Sequence, residues 1–175
     1  MQNSKIKKKI ITLIGPTACN KTSTAVHLIK KFPISIIGVD SVQIYKRFDI
    51  GSAKPPKEIL KKYKHHLVDS ADPENIFSVK DFYDQAYRIV MQAHSNNRIP
   101  LLVGGTMMYF NALFKGINDI PEGNEAIREE LQRELDNRGV DKLFNELKEI
   151  DPESAKTIKK NDKQRIMRSL EVFKI

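Results

Sequence analysis

Ile10-Ile-Thr-Leu-Ile-Gly-Pro-Thr-Ala-Cys-Asn-Lys-Thr22 decides how the rest of the chain is read. Residues 10–14 are a short apolar run of β-branched type, which predicts a buried strand. Gly15 and Pro16 break that run. Residues 21–31 then take helical spacing, with Ala25, Leu28 and Ile29 on one face. Strand, tight loop and helix in that order are the context of a phosphate-binding loop. Its backbone N–H groups and the helix N-terminus face an anion, a lysine adds a point charge, and a hydroxyl reaches a Mg²⁺. Here Lys21 and Thr22 take those two places. The pattern G-x-x-x-x-G-K-[ST] has Asn20 where its second glycine belongs. That position often needs a left-handed backbone, and Asn is the side chain that tolerates one best. The plain alternative is an ordinary strand–turn–helix carrying a chance Lys-Thr pair.

The 175 residues suit one α/β domain with a small appendage. Hydrophobic residues make up 40% and charged residues 30%, which allows a sizeable core. No apolar run is long enough to span a bilayer. The N-terminal lysines precede only a short apolar run and no small-residue cleavage site, so no signal peptide is read there. A single cysteine, Cys19, excludes an internal disulfide and suits a reducing compartment, so a cytoplasmic protein is expected. Beside Lys21 it reads as an inert loop residue.

The net charge of +8 is unevenly spread. Residues 1–120 carry 18 Lys and Arg against 9 Asp and Glu; residues 121–155 carry 5 against 11; residues 156–175 carry 7 against 2. Two basic regions flanking an acidic piece suit a polyanion such as RNA. A plain compositional bias towards lysine gives the same numbers.

Residues 1–9 are polar and expected to fray. Residues 34–39 predict a second buried strand, ending at Asp40-Ser41. A carboxylate at the carboxyl end of a strand adjoining the phosphate loop is where parallel α/β sheets put their chemistry. A short turn at 42–46, a loop at 48–56, a turn or two of helix at 58–64 and a short strand at 65–68 follow. His65 and His66 are neighbours on that strand, point to opposite faces, and cannot form a two-ligand metal site. Ser78-Val-Lys-Asp81 is a capping box that opens a helix to about residue 95. Phe82, Tyr83, Ala86, Ile89, Val90 and Ala93 recur along it as a core stripe. Residues 101–103 predict another strand, followed by Gly104-Gly-Thr106, where glycines allow close approach and Thr106 opens the next helix with a free hydroxyl. From Pro121 the pattern turns helical, over 122–137, 141–150, 152–159 and 162–174, which reads as a helical insert or subdomain over 121–175 after a core over 1–120.

Taken in order, these pieces resemble the tRNA dimethylallyltransferases, also called tRNA isopentenyltransferases. The matching stretches are Gly15 to Thr22, Asp40-Ser-Val-Gln-Ile-Tyr-Lys46, Asp49-Ile-Gly-Ser-Ala-Lys-Pro55, His65-His-Leu-Val-Asp69, Ser78 to Phe82, Ile99 to Thr106, Asp151-Pro152, and Asn161 to Arg165 with Arg168-Ser-Leu-Glu-Val172. A phosphate loop alone is a weak signal, but the ordered set is specific. The resemblance implies a three-layer α/β fold of P-loop NTPase-like type with a parallel sheet. It implies that Gly15, Pro16, Thr17, Ala18, Cys19, Asn20, Lys21 and Thr22 hold the diphosphate of dimethylallyl diphosphate, with Mg²⁺ on Thr22. The acceptor is N6 of an adenosine beside the tRNA anticodon. Asp40 is then the general base, with Lys21 and Thr106 supporting the reacting centre. The tRNA contacts fall on Asp40, Ser41, Val42, Gln43, Thr106, Arg128, Gln164, Arg165, Ile166, Met167 and Arg168. A cytoplasmic monomer that binds the tRNA anticodon arm is expected.

Two departures stand out. The family writes Ser-Gly-Lys where this chain has Cys19-Asn20-Lys21, and it continues past Ile175 with elements that complete the sheet and grip the anticodon arm. Two other readings accommodate the same residues: a P-loop small-molecule kinase binding ATP, and an inactive RNA-binding fragment of the transferase family. A kinase needs arginines over the phosphates, and no arginine-rich lid is apparent.

Overall fold

A computed structural model describes residues 9–117 and 120–175. The lysine-rich segment 1–8, expected to fray, lies outside the described residues. The chain divides into two compact units, before and after the 117/118 bond.

The first unit is a parallel sheet between helices. Its elements are β1 (Ile11–Ile14), α1 (Lys21–Ile29), β2 (Ile34–Val39), α2 (Lys57–Lys62), β3 (His65–His66), α3 (Val79–Ser95), β4 (Ile99–Gly104) and α4 (Met107–Lys115). All pairings are parallel and the spatial order is β1-β4-β2-β3. β2 is buried at every residue, as its unbroken Ile and Val run requires of a central strand. Ile36, Leu101 and Ala25 pack on one face of the sheet; Ile37, Leu102, Phe82, Ala86 and Phe110 pack on the other. The capping box of α3 is present: the Ser78 Oγ accepts from the Asp81 N–H at 3.1 Å and Asp81 Oδ2 accepts from the Ser78 N–H at 2.9 Å. Of the stripe along α3, Phe82, Ala86, Val90 and Ala93 are buried.

Three expectations need correction. The strand at 10–14 is not buried: among the described residues β1 lies at the edge of the sheet and pairs with β4 alone, and Ile10, Ile11 and Ile14 are each more than 40% exposed. β2 does not adjoin β1; β4 lies between them, so the strand bearing Asp40 is two positions from the loop. The strand at 65–68 is only two residues long, because Leu67 and Asp69 take left-handed backbones that end the ladder.

The close approach of β2 and β4 depends on Gly104. A Cβ there would lie 1.9 Å from the Val39 carbonyl oxygen, so no larger residue fits without parting the strands.

The second unit is helical: α5 (Glu125–Arg138), α6 (Val140–Ile150), α7 (Pro152–Thr157) and α8 (Lys163–Lys174). Leu131, Leu143, Leu147, Ile166 and Leu170 form its core. Glu171, only 1% exposed, is set into that core. It accepts from the Asn124 N–H at 2.7 Å, from Arg128 Nε at 2.8 Å and from Arg168 Nη1 at 2.6 Å. Burial pushes its carboxyl up, but the Arg168 hydrogen bond, the Asn124 amide and the two arginine charges outweigh that and hold it below the usual range. A depressed carboxylate stabilises the fold above its unfolded pKa and loses that contribution as pH falls through the folded value. Glu171→Gln is therefore expected to lower stability at neutral pH by about 1–2 kcal/mol, with a smaller deficit in acid. Thermal melting of both proteins from neutral to acid pH checks this; parallel curves would contradict it.

Candidate active site

The loop after β1 and the start of α1 line one side of a cavity of about 580 Å³ in the first unit. Thr17 through Ser23 contribute, with Val26, His27 and Lys30 from α1, Asp40 and Gln43 after β2, Ala53, Pro56 and Ile59 around α2, and Val103 and Gly104 from β4. The cavity lies at the carboxyl ends of the parallel strands, where ligands sit in open α/β sheets.

The loop conformation depends on Asn20. Its backbone is left-handed, φ 60° and ψ 23°, and its side chain makes no capping bond to α1. Ala18 is left-handed too, at φ 66°. Among the described residues, the amides of Thr17 through Thr22 donate to no carbonyl or side chain; the first bond of α1 runs from the Thr24 N–H to the Asn20 oxygen at 3.1 Å. A run of unpaired amides at a helix start, opening on a cavity, is a nest for an anion. Lys21 Nζ stands over the same loop, donating to the Gly15 carbonyl at 2.8 Å and to the Pro16 carbonyl. The cost of a left-handed backbone at residue 20 leads to a simple test. Asn20→Ala should destabilise by about 1 kcal/mol, while Asn20→Gly should be neutral or better. Urea unfolding of the two variants measures it; equal effects would show that the position is not conformationally demanding.

Asp40 ends β2. Its Oδ1 accepts from the Val42 N–H at 2.9 Å and the Gln43 N–H at 3.1 Å, which ties down the turn that follows. Among the described residues its Oδ2 has no hydrogen-bond partner, so one oxygen is structural and the other is available. Thr106 does not have the free hydroxyl expected of it, nor does it cap α4. Its Oγ1 accepts from the Ser41 N–H at 3.0 Å and approaches Ser41 Oγ at 3.4 Å, which joins the ends of β2 and β4. The Gly105 and Thr106 amides both donate to the Val39 carbonyl at 3.2 Å. Buried Tyr109 stacks on Phe82 with ring centroids 4.0 Å apart. Burial, then the charges of Tyr45, Asp40 and Asp81, pushes its hydroxyl up to about 12, so it stays neutral.

Gln43 fixes the far wall. Its Nε2 donates to the carbonyls of Ser52 and Ala53 at 3.0 and 3.1 Å. The loop it holds is clamped underneath by Lys54, whose side chain is 3% exposed. Lys54 Nζ reaches Asp69 at 2.6 Å, Tyr45 O at 2.9 Å and Asp49 at 3.1 Å. Reading the sequence for site residues missed Lys54, His27 and Lys30. The first looks like a solvated loop lysine, and the other two look like the outer face of a helix.

The structure thus brings together Gly15 to Thr22, Asp40, Ser41, Gln43 and Thr106. Arg128, Gln164, Arg165, Ile166, Met167 and Arg168 belong to the second unit. There Ile166 is fully buried and Met167 packs against the core, so the Ile166 side chain is a packing group rather than a contact for a ligand. Arg128 and Arg168 are engaged with Glu171, and Arg165 pairs with Asp162 at 3.3 Å. Gln164 is exposed.

For a divalent cation the cavity offers the Thr22 hydroxyl and one carboxylate, Asp40. No group of three or more His, Cys, Asp or Glu gathers among the described residues. That sparse oxygen set fits Mg²⁺, which keeps several waters and takes further ligands from substrate phosphates; it does not fit zinc. No helix among the described residues is long and apolar enough to cross a membrane.

A family model described as IPP transferase matches residues 43–175. A tRNA dimethylallyltransferase of Dichelobacter nodosus is 46% identical over 165 residues, covering 94% of this chain and 52% of the relative. Among solved structures, a full-length tRNA isopentenylpyrophosphate transferase from Bacillus halodurans superposes with TM-score 0.62 at 40% identity, over 96% of this chain and 56% of that one. A eukaryotic dimethylallyltransferase acting on tRNA gives TM-score 0.80 at 28% identity, over 95% and 41%. The chain spans about half the length of the curated relatives it matches.

Proposed function

The chain belongs to the IPP transferase family, and from that premise we propose that it carries the diphosphate seat and the general base of a tRNA dimethylallyltransferase. The observation that carries this reading is the run of unpaired amides from Thr17 to Thr22, opening on the same cavity as Asp40.

The reaction joins C1 of a dimethylallyl group to N6 of an adenosine beside the anticodon. The C1–O bond breaks and its electron pair leaves with the diphosphate. The loop amides and Lys21 stabilise the charge that grows on those oxygens, and they are aimed there before reaction begins. Asp40 Oδ2 takes the N6 proton, and its Oδ1, held by Val42 and Gln43, keeps the carboxylate from rotating. Thr106 holds Ser41 and so fixes the strand end beside the base. Val26, Ala53, Pro56 and Ile59 supply the apolar part of the cavity wall, suited to a five-carbon chain. The adenine has to leave its stack to reach Asp40. Mg²⁺, held by Thr22 with water and diphosphate oxygens, would neutralise part of the leaving charge when bound. In the second unit, exposed Gln164 and Arg165 are candidates for the RNA, and Arg128 and Arg168 also pair with Glu171.

The test is transfer of labelled dimethylallyl diphosphate to an anticodon-arm RNA with Mg²⁺. Label in the RNA, absent with a transcript lacking the acceptor adenosine, supports the reading. Tight ATP binding with no response to the prenyl diphosphate would overturn it in favour of a kinase.

A further inference from the structure

A second cavity, of about 400 Å³, lies in the first unit at the opposite end of the sheet, by the amino ends of β2 and β4. Its charged side chains are all of one sign: Lys62 at the end of α2, Lys64 in the link to β3, and Arg98 from the turn before β4. His66 and Tyr63 stand between them, and no Asp or Glu lines it. Arg98 is anchored, its Nε donating to Ser35 Oγ at 2.9 Å and its Nη2 to the Ile34 carbonyl. Among the described residues, none of the three cations has a carboxylate partner. The Tyr63 ring lies under two ammonium groups, Lys30 at 5.9 Å and Lys62 at 5.7 Å from its centroid. The His66 ring is held below its usual range by burial, then by the charges of Lys64, Arg98 and His65.

Three cations around one concavity repel one another modestly where water screens them, and an anion seated between them turns that repulsion into attraction. Here an arginine is fixed by two hydrogen bonds, and the apolar side chains of Ile29, Ile34 and Ile89 form the wall behind it. A guanidinium fixed by two bonds still has N–H groups left for oxygens, and two flexible ammonium groups can close over them. We propose that this cavity is a second, separate site for a phosphate group, clamped by Arg98, Lys62 and Lys64. The group comes either from a free nucleotide or from an RNA backbone. The site does not share a residue with the loop cavity, so it does not depend on the prenyl-transfer reading.

The experiment uses the full chain carrying Lys21→Ala, which weakens the loop site. Sodium phosphate, adenosine 5′-monophosphate and a short single-stranded RNA are titrated in turn, and backbone amide resonances are followed. Saturable shifts at residues 62–66 and 98 are expected. Lys62→Ala with Lys64→Ala should weaken binding at least about tenfold, since each lost charge-assisted bond is worth that much. Both lysines are exposed, one ending α2 and one just beyond it, so the circular dichroism spectrum should not change. Equal affinity for the mononucleotide and the RNA assigns the free nucleotide as source. Markedly tighter RNA binding, falling with salt, assigns the backbone. Shifts absent from residues 62–66 and 98 with all three probes, or undiminished in the double variant, would overturn the proposal.

Discussion

Asp40→Asn is expected to reduce dimethylallyl transfer about 10²–10⁴-fold, the usual contribution of a positioned general base, while leaving the fold intact. The two effects separate because the two carboxylate oxygens do different work. Oδ1 accepts from the Val42 and Gln43 amides, and an asparagine carbonyl can accept both in its place. Oδ2, without a partner among the described residues, would become an NH₂ group that cannot take a proton. Asp40→Ala should lose the turn bonds as well, adding about 1 kcal/mol of destabilisation. Single-turnover transfer measured beside thermal melting distinguishes the cases. Full transfer by Asp40→Asn would reduce Asp40 to a turn-capping residue.

Lys54→Met is expected to destabilise the first unit by about 2–3 kcal/mol. Breaking a buried ion pair from one side usually costs about 3–5 kcal/mol. The lower figure is chosen because Asp69, at 37% exposure, can recover some hydration once the ammonium is gone. Asp49 faces water more openly and adds little; its carboxyl is nonetheless held below its usual range, first by the Lys54 hydrogen bond and then by Lys57. The functional consequence follows from what the loop carries. Ala53 and Pro56 line the cavity, and Gln43 holds the Ser52 and Ala53 carbonyls only where the loop is in place. A loosened loop should weaken binding of the prenyl diphosphate as well as lower the urea midpoint. If stability falls and that affinity does not, the wall formed by Ala53 and Pro56 is irrelevant to the ligand.

Local chemistry was legible in the sequence, and long-range arrangement was not. The phosphate loop, the left-handed Asn20 and the Ser78–Asp81 capping box depend on neighbours within a few residues, and each is where the spacing puts it. The exposure of β1 was not legible, because an apolar run has the same composition at a sheet edge as at its centre. Insertion of β4 between β1 and β2 is a pairing over about 90 residues of sequence, about which strand periodicity says nothing. The Thr106 hydroxyl reads as free at the head of a helix, because its partner, Ser41, is 65 residues away. The ion pairs of Arg128 and Arg168 with Glu171 were not legible either, because a carboxylate buried in a helical stripe looks like any other polar position of the helix.

The most direct measurement is an amide-resolved titration of the chain with dimethylallyl diphosphate and Mg²⁺, set beside the same titration with ATP. Saturable shifts at Thr17 to Thr22, tighter for the prenyl diphosphate than for ATP and lost in Lys21→Ala, are the predicted result. Amides in the loop that stay unmoved by the prenyl diphosphate, or that respond only to ATP, would contradict a diphosphate seat built for prenyl transfer.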